Sequence, residues 1–306
     1  MTDAVVVGRV GADLYPTEPR TALRAQRTFV RSVGGSGGNI AVGLRRLGVD
    51  TALVTGIGAD GHGQFLLDRL EAEGVDTRFV SRHPERLTPI SFCELWPPDH
   101  FPVTMFRTER SADWEVDLDP ASVTALADAR LLVVTLTALA REASRASTLA
   151  LVYEHRGIRL VDLDWRAPVW EVESDYAKRV TDVAAAADLV LGNEEEIARA
   201  AGSPSSLLAA GARAVVVKRG PRGATLVTAE RSVDVPAIPV VVVNGLGAGD
   251  AMAAAIGAAL LAGRPLAEAV ERGAAAGALV ASRLACAESM PTVPELERIL
   301  RREDDR

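Results

Sequence analysis

Short apolar runs rich in β-branched residues recur along this chain, and longer segments of helical period separate them. That alternation constrains the fold more than any other feature. A strand, a helix and a second strand of the same direction make a crossover unit. Repeated units build an α/β fold whose mostly parallel central sheet carries helices on both faces. Residues 4–8, 51–55, 131–135, 158–162, 188–191, 214–218 and 240–243 read as strands, and 39–47, 64–73, 141–154, 176–186 and 194–200 as helices. Past 243 the chain turns at Asn244-Gly245 and enters an Ala-rich helix near Gly249, with two more helices after it. Residues 14–33 and 89–108 break the alternation. Their strand-like composition without intervening helices predicts a small antiparallel flap or lid inserted beside the main sheet. No linker or internal repeat divides residues 1–306, so a single α/β domain is expected.

With 48% hydrophobic and 25% charged residues over 306 positions, the chain can bury one large core. Its net charge of −7 opposes general nucleic-acid binding, which needs a basic surface. The run Arg20, Arg24, Arg27 and Arg31 reads as a solvated face. Cys93 and Cys286 stand outside any CxxC or Cys/His cluster, which leaves neither a zinc site nor a disulfide framework. The first residues lack the pattern of a secretory signal, and no segment approaches the roughly 18 apolar residues of a spanning helix. A cytoplasmic protein without a membrane partner is expected.

Two glycine-rich loops carry chemistry. In the first, Gly247, Ala248 and Gly249 put small residues at a helix start, where free N–H groups and the positive dipole end favour an anion such as phosphate. Asp250 follows at once, either as a first-turn acid that complements the dipole or as a carboxylate set beside an anion to do chemistry. In the second loop, residues 34–38 hold four glycines in five positions, so the backbone takes unusual dihedrals or lies close against something. Asn39, next in the chain, is either a helix cap or a polar group turned into a site. A third loop, Gly56-Ile57-Gly58-Ala59-Asp60-Gly61, matches the dinucleotide fingerprint but follows the second predicted strand, not the first. Asp76 also comes too early for the ribose-binding acid expected about 20 residues on. No Walker A sequence occurs, so any use of ATP needs a different phosphate cradle.

The pair of loops, GG-x-x-x-N (Gly34, Gly35, Asn39) in the first quarter and G-A-G-D (Gly247 to Asp250) in the last, resembles the two signatures of the ribokinase-like, phosphofructokinase-B carbohydrate kinases. Asp13, Gly58-x-Asp60-x-x-Gly63, Asn193-Glu-Glu-Glu196 and Lys218-Arg-Gly220-Pro-Arg-Gly223 extend the likeness over nearly the whole chain. In that light the Gly56 loop is a family turn. The segments GRVGADLY (8–15), PERLTP (84–89), FRTERSAD (106–113), DLDWRAPVW (162–170), VVKRGPRG (216–223) and CAESMPT (286–292) are most similar to the family's 5-dehydro-2-deoxygluconokinase branch, of inositol catabolism.

The resemblance implies ATP-dependent phosphorylation of a sugar or keto-sugar-acid hydroxyl. The acceptors it leaves open are 5-dehydro-2-deoxygluconate, 2-keto-3-deoxygluconate and a fructose-like sugar. A sugar- or nucleotide-binding protein without turnover is the reading from another class. As a kinase, the chain would use Asp250 as base and the N–H groups of Gly247, Ala248 and Gly249 as anion hole. Asp13, Gly34, Gly35, Asn39 and Asp164 would meet the sugar, and Arg107 and Arg166 would grip a carboxylate. Either arginine, equally, pairs with a protein acid, and Asp164 then merely fixes Arg166. Asn193, Lys218, Gly220, Gly223, Gly247 and Gly249 would contact the nucleotide. Asn193 and Glu196 would face a hydrated Mg²⁺, or else form a capping box. A homodimer through the lid is a further expectation, because so small a sheet leaves edges and one face open.

The chain also departs from the family. Relatives usually read D-T-x-G-A-G-D where this chain has Asn244-Gly245-Leu246-Gly247-Ala248-Gly249-Asp250, so an acid and a hydroxyl residue are missing. That puts in doubt the monovalent-cation site many relatives build near those positions. Ala274 stands where related helices often carry Asn, which weakens any assignment of an adenine site.

Overall fold

Ala4 and Val6 point into one hydrophobic layer and Val5 and Val7 into another, as the period of two of a strand buried on both faces requires. The computed structural model describes residues 2–108, 110–170 and 172–304, so Glu109 of the FRTERSAD segment lies outside the described residues. In chain order the strands are β1 (Ala4–Val7), β2 (Gly11–Pro16), β3 (Phe29–Gly34), β4 (Thr51–Gly58), β5 (Val80–His83), β6 (Ile90–Cys93) and β7 (Val103–Phe106). They continue with β8 (Leu131–Thr135), β9 (Ile158–Asp162), β10 (Leu189–Asn193), β11 (Ala214–Lys218), β12 (Ala224–Thr228) and β13 (Ser232–Val235).

Nine strands form one sheet in the order β13-β12-β11-β10-β9-β8-β1-β4-β5. It is parallel from β11 to β5, and β12 and β13 run antiparallel at the far edge. The helices Ser36–Arg46, Gly61–Ala72, Ala248–Leu261, Leu266–Ala281 and Val293–Asp304 cover one face. Pro120–Ala127, Glu142–Glu154, Glu173–Ala184, Glu194–Ala201 and Pro204–Ala209 cover the other. The order reverses at β1, which lies between β4 and β8, and the crevice outside the carboxyl ends of parallel strands at such a point is where α/β sheets bind ligands.

The lid is a separate sheet in the order β3-β2-β6-β7. Its outer pairs are antiparallel and its central pair, β2 with β6, is parallel. It begins at Gly11, slightly before the expected 14. One expectation fails. Residues 240–243 form no strand; the backbone N–H groups of Val243 and Asn244 donate instead to the carbonyl of Ala281 at 2.8 and 3.1 Å, and Val241 is 84% exposed. The sheet edge that this segment would have joined is taken by the hairpin β12–β13, which propensity alone did not reveal.

Candidate active site

The candidate side chains gather where β1, β8, β9, β10 and β11 end and where the helix Ala248–Leu261 begins. Asn39 is not a cap. The helix Ser36–Arg46 starts from Gly35, whose φ of 83° few other residues adopt, and Asn39 lies one turn in, buried, its amide donating to Oδ2 of Asp250 at 2.7 Å. Oδ1 of Asn39 has no partner. Asp250 sits in the first turn of its helix, half-buried. Burial and the nearby Asp164 and Asp162 carboxylates push its carboxyl up to about 7, against the pull of Asn39 and Arg166. A carboxylate so poised suits a general base near neutral pH.

The helix holding Asp250 begins at Gly247, with φ of 79°, and no side chain caps it. The first-turn N–H groups therefore stand ready for an anion. Lys218 is beside them: a β-carbon on Gly249 would lie 3.3 Å from its Nζ. That ammonium is bound by Asp162 at 3.1 Å and Glu196 at 3.5 Å. Burial works against its charge, but Asp162 and Glu196 outweigh it and hold Lys218 protonated above its ordinary range. Asp162 is pushed up to about 6 by burial, with Lys218 pulling the other way.

Asp162 was not singled out from the sequence, yet it joins the two halves of the site. Besides Lys218, its Oδ1 accepts the backbone N–H of Asp164 at 3.0 Å, in a turn where Asp164 has the positive φ of 30°. Asp164 is buried and surrounded by donors: Ser36 Oγ at 2.6 Å, Arg166 at 3.0 Å, Thr137 Oγ1 at 3.3 Å and Arg9 Nε at 3.4 Å. Burial alone would raise its pKa, but Arg166 and Arg9 hold it well below the usual carboxylate range. Arg9 and Ser36 lay within the quoted segments without a role assigned to them, and Thr137 lay in none. The one available signal for Asp162 was its place at the end of a predicted strand, two residues before Asp164.

From the lid, β2 brings Asp13, whose carboxyl accepts from the hydroxyl of Tyr15 at 3.3 Å and is pushed by burial up to about 6. Gly34 is fixed by it: a β-carbon there would fall 2.0 Å from Cγ of Asp13. Arg107 is buried, 3.4 Å from the centre of the Trp114 ring and 2.5 Å from Asp113, so it does pair with a protein acid. Its Nε and Nη1 remain without partners. The Arg166 side chain is 41% exposed and keeps a face open to a ligand.

Of the residues expected to contact the nucleotide, Asn193 and Glu196 form a full capping box, with the Asn193 N–H to Glu196 at 2.7 Å and the return bond at 2.8 Å. Gly220 and Gly223 flank the turn after β11, both at positive φ. The dinucleotide-like loop is closed to phosphate. The Asp60 carboxylate fills that helix start, accepting from His62 and Gly63 at 2.9 and 2.8 Å and from Thr88 at 2.8 Å. Among the described residues, no group of three or more His, Cys, Asp or Glu is arranged to hold a metal ion, and no helix is long and apolar enough to cross a membrane.

Residues 1–293 match the family described as pfkB family carbohydrate kinase. The chain is 29% identical to the 5-dehydro-2-deoxygluconokinase of Clostridium beijerinckii, over 99% of this chain and 94% of that one. It is 30% identical to the 5-dehydro-2-deoxygluconokinase of Clostridium tetani, over 98% and 93%. A fructokinase double mutant from Vibrio cholerae O395, in a fructose-, ADP- and potassium-bound form, superposes with a TM-score of 0.87 over 98% of both chains at 24% identity. The matched signatures, the sheet order and the meeting of Asn39 with Asp250 converge: this chain belongs to the pfkB family and is a carbohydrate kinase of ribokinase-like fold.

Proposed function

We propose that this kinase transfers the γ-phosphoryl group of ATP to a hydroxyl of 5-dehydro-2-deoxygluconate. The observation that carries the acid part is the partly open guanidinium of Arg166; Arg107, buried against Asp113 and Trp114, keeps Nε and Nη1 without hydrogen-bond partners but closed to solvent. A keto-sugar acid brings the carboxylate that such groups bind in bidentate fashion. Names of relatives at about 30% identity support the same acceptor.

In the reaction, Asp250 accepts the proton of the attacking hydroxyl as its oxygen bonds to γ-phosphorus and the bond to the β-phosphate oxygen breaks, releasing ADP. The N–H groups of Gly247, Ala248 and Gly249 face the charge on the moving phosphoryl group, and Lys218 adds a fixed positive charge beside them. Asp13, Asn39 and the backbone at Gly34 and Gly35 position the sugar. Gly220 and Gly223 shape the turn that takes the nucleotide. Mg²⁺ bound to ATP neutralises phosphate charge. Asn193 and Glu196 fit a hydrated ion and not a directly ligated one, since Glu196 is already met by the N–H groups of Asn193 and Trp165 and by Lys218.

An ADP-release screen over sugar acids and neutral sugars tests the assignment. 5-Dehydro-2-deoxygluconate should give the highest kcat/KM. If 2-keto-3-deoxygluconate leads, the class of acceptor stands and the substrate falls; if fructose or ribose leads, the reading of the arginines falls as well. ATP-dependent turnover of none of them would favour the binding protein without catalysis.

We further propose that two copies pair through the lid. Leu14, Ile90, Phe92 and Phe106 share one face by register, Phe29, Phe92 and Phe106 stack edge to face, and Phe106 is 59% exposed. Phe106→Asp should shift the mass measured by light scattering from dimer to monomer. A wild type already monomeric at micromolar concentration would end this proposal.

A further inference from the structure

The family resemblance implies a monovalent cation near residues 244 and 245, and the side chains present do not fit one. Asn244 is fully buried, and both ends of its amide are engaged. Nδ2 donates to the carbonyl of Leu284 at 2.7 Å, and Oδ1 accepts the N–H of Leu246 at 3.0 Å. The orientation is forced: turning the amide over would set N–H against N–H and oxygen against oxygen. An alkali cation needs oxygen atoms turned toward it. Here an amide N–H₂ faces the Leu284 carbonyl and puts a donor where a cation would need an oxygen ligand. A hydroxyl residue at the next position would press on the lid, since a β-carbon on Gly245 would lie 2.9 Å from the ring of Phe101, which would have to shift.

We propose that the Asn244 amide does in this chain what a bound monovalent cation would otherwise do, tying the loop that leads into the anion hole to the segment at Leu284. The two strips meet again one turn further on, where a β-carbon on Gly247 would lie 2.7 Å from Sγ of Cys286. Leu246, Ala285, Cys286 and Phe101 pack in one small cluster that includes Tyr15 of the lid. A neutral hydrogen-bond donor built into the chain thus holds Gly247 and the N–H groups after it in place. A cation can leave; the amide cannot. The residue is a positioning residue, and its role rests on the reading of Gly247 to Gly249 as the anion hole.

The test compares K⁺ with tetramethylammonium at constant ionic strength, using ADP release with whichever acceptor turns over fastest. Wild type should change less than about twofold in kcat, because no step in positioning the loop waits for an ion. Asn244→Asp replaces the donor by a buried charge facing a carbonyl. It should lose about tenfold or more in kcat in tetramethylammonium and recover in K⁺, with its Tm rising on K⁺ addition as binding to the folded state requires. Asn244→Ala, which removes the tie without adding charge, should lower kcat with little change in the sugar KM and should not respond to K⁺. A wild type that loses fivefold or more without K⁺ overturns the proposal, as does an Asn244→Asp enzyme indifferent to the cation. If Asn244→Asp does not fold, the wild-type comparison and Asn244→Ala still decide. Absence of ADP release under any cation counts against the kinase reading instead, and the K⁺ dependence of the wild-type Tm, expected to be nil, then carries the inference.

Discussion

Asn39 and Asp250, 211 residues apart in the chain, are joined by a hydrogen bond of 2.7 Å between the amide of one and the carboxylate of the other. The bond links the first-quarter glycine loop to the helix start at Gly247, and it pulls the Asp250 carboxyl down against the larger upward push of burial and Asp164. Burial and the neighbouring carboxylates push the Asp250 carboxyl up to about 7, so as the general base it should make kcat/KM fall about tenfold per pH unit below that value and level off above it. The amide favours the charged form, so Asn39→Ala should move this acid limb to higher pH. A limb that stays put in the variant, or a wild-type limb near pH 4, would contradict the assignment. Asp250→Asn should lower kcat by about 10² or more while ATP still binds, and turnover within about threefold of wild type would remove Asp250 from the role of base.

Neighbouring glycines should fail in different ways. A β-carbon on Gly34 meets only the end of the Asp13 side chain, which can swing aside. Gly34→Ala should therefore fold nearly normally and raise the sugar KM, because Asp13 is displaced. Gly35 has φ of 83°, and its β-carbon would lie 2.6 Å from the backbone oxygen of Arg9. Neither can give, so Gly35→Ala should cost about 1–3 kcal/mol of stability. Denaturant melts beside steady-state kinetics separate the two, and equal losses of stability would show that Asp13 is held more rigidly than this argument allows.

Asp162 offers a test of how the halves of the site are joined. Asp162→Asn keeps an acceptor for the Asp164 N–H but removes the charge opposite Lys218. Losing one partner of a buried pair costs about 3–5 kcal/mol when nothing replaces it. Lys218 keeps Glu196 at 3.5 Å, so the loss should be smaller. The ammonium should drift from its place beside Gly249, lowering kcat and raising the KM for ATP more than that for the sugar. An effect confined to the sugar KM would mean that Asp162 serves only the Asp164 turn.

How much of this was legible beforehand follows from the kind of interaction involved. Strands such as β1, β8 and β11 announce themselves because burial on both faces demands unbroken apolar runs. The hairpin β12–β13 and the irregular path through 240–243 depend on which segment captures the sheet edge, a competition between distant parts of the chain. The site divides in the same way. Asp250 and its glycines were visible because a helix start open to an anion needs small residues next to one another in sequence. Asp162, Arg9, Ser36 and Thr137 come from separate strand ends, a helix start and a short turn, and only the folded sheet brings them to Asp164 and Lys218.

The two arginines call for different probes of the sugar acid. Arg107→Ala is the obvious variant and a poor one. The Asp113 side chain is fully buried and pairs with Arg107, so truncation strands a carboxylate and should cost about 3–5 kcal/mol whatever the substrate. Arg166 is the better choice. Its partner Asp164 keeps Arg9, Ser36 and Thr137, so Arg166→Met should leave the fold near wild type in stability. Losing one charged, bidentate contact to a carboxylate should raise the KM for the sugar acid by about tenfold or more, and the KM for a neutral sugar far less. The ratio of the two KM values is the quantity to measure. If Arg166→Met raises both equally, the guanidinium shapes the pocket through Asp164 and does not bind the acid.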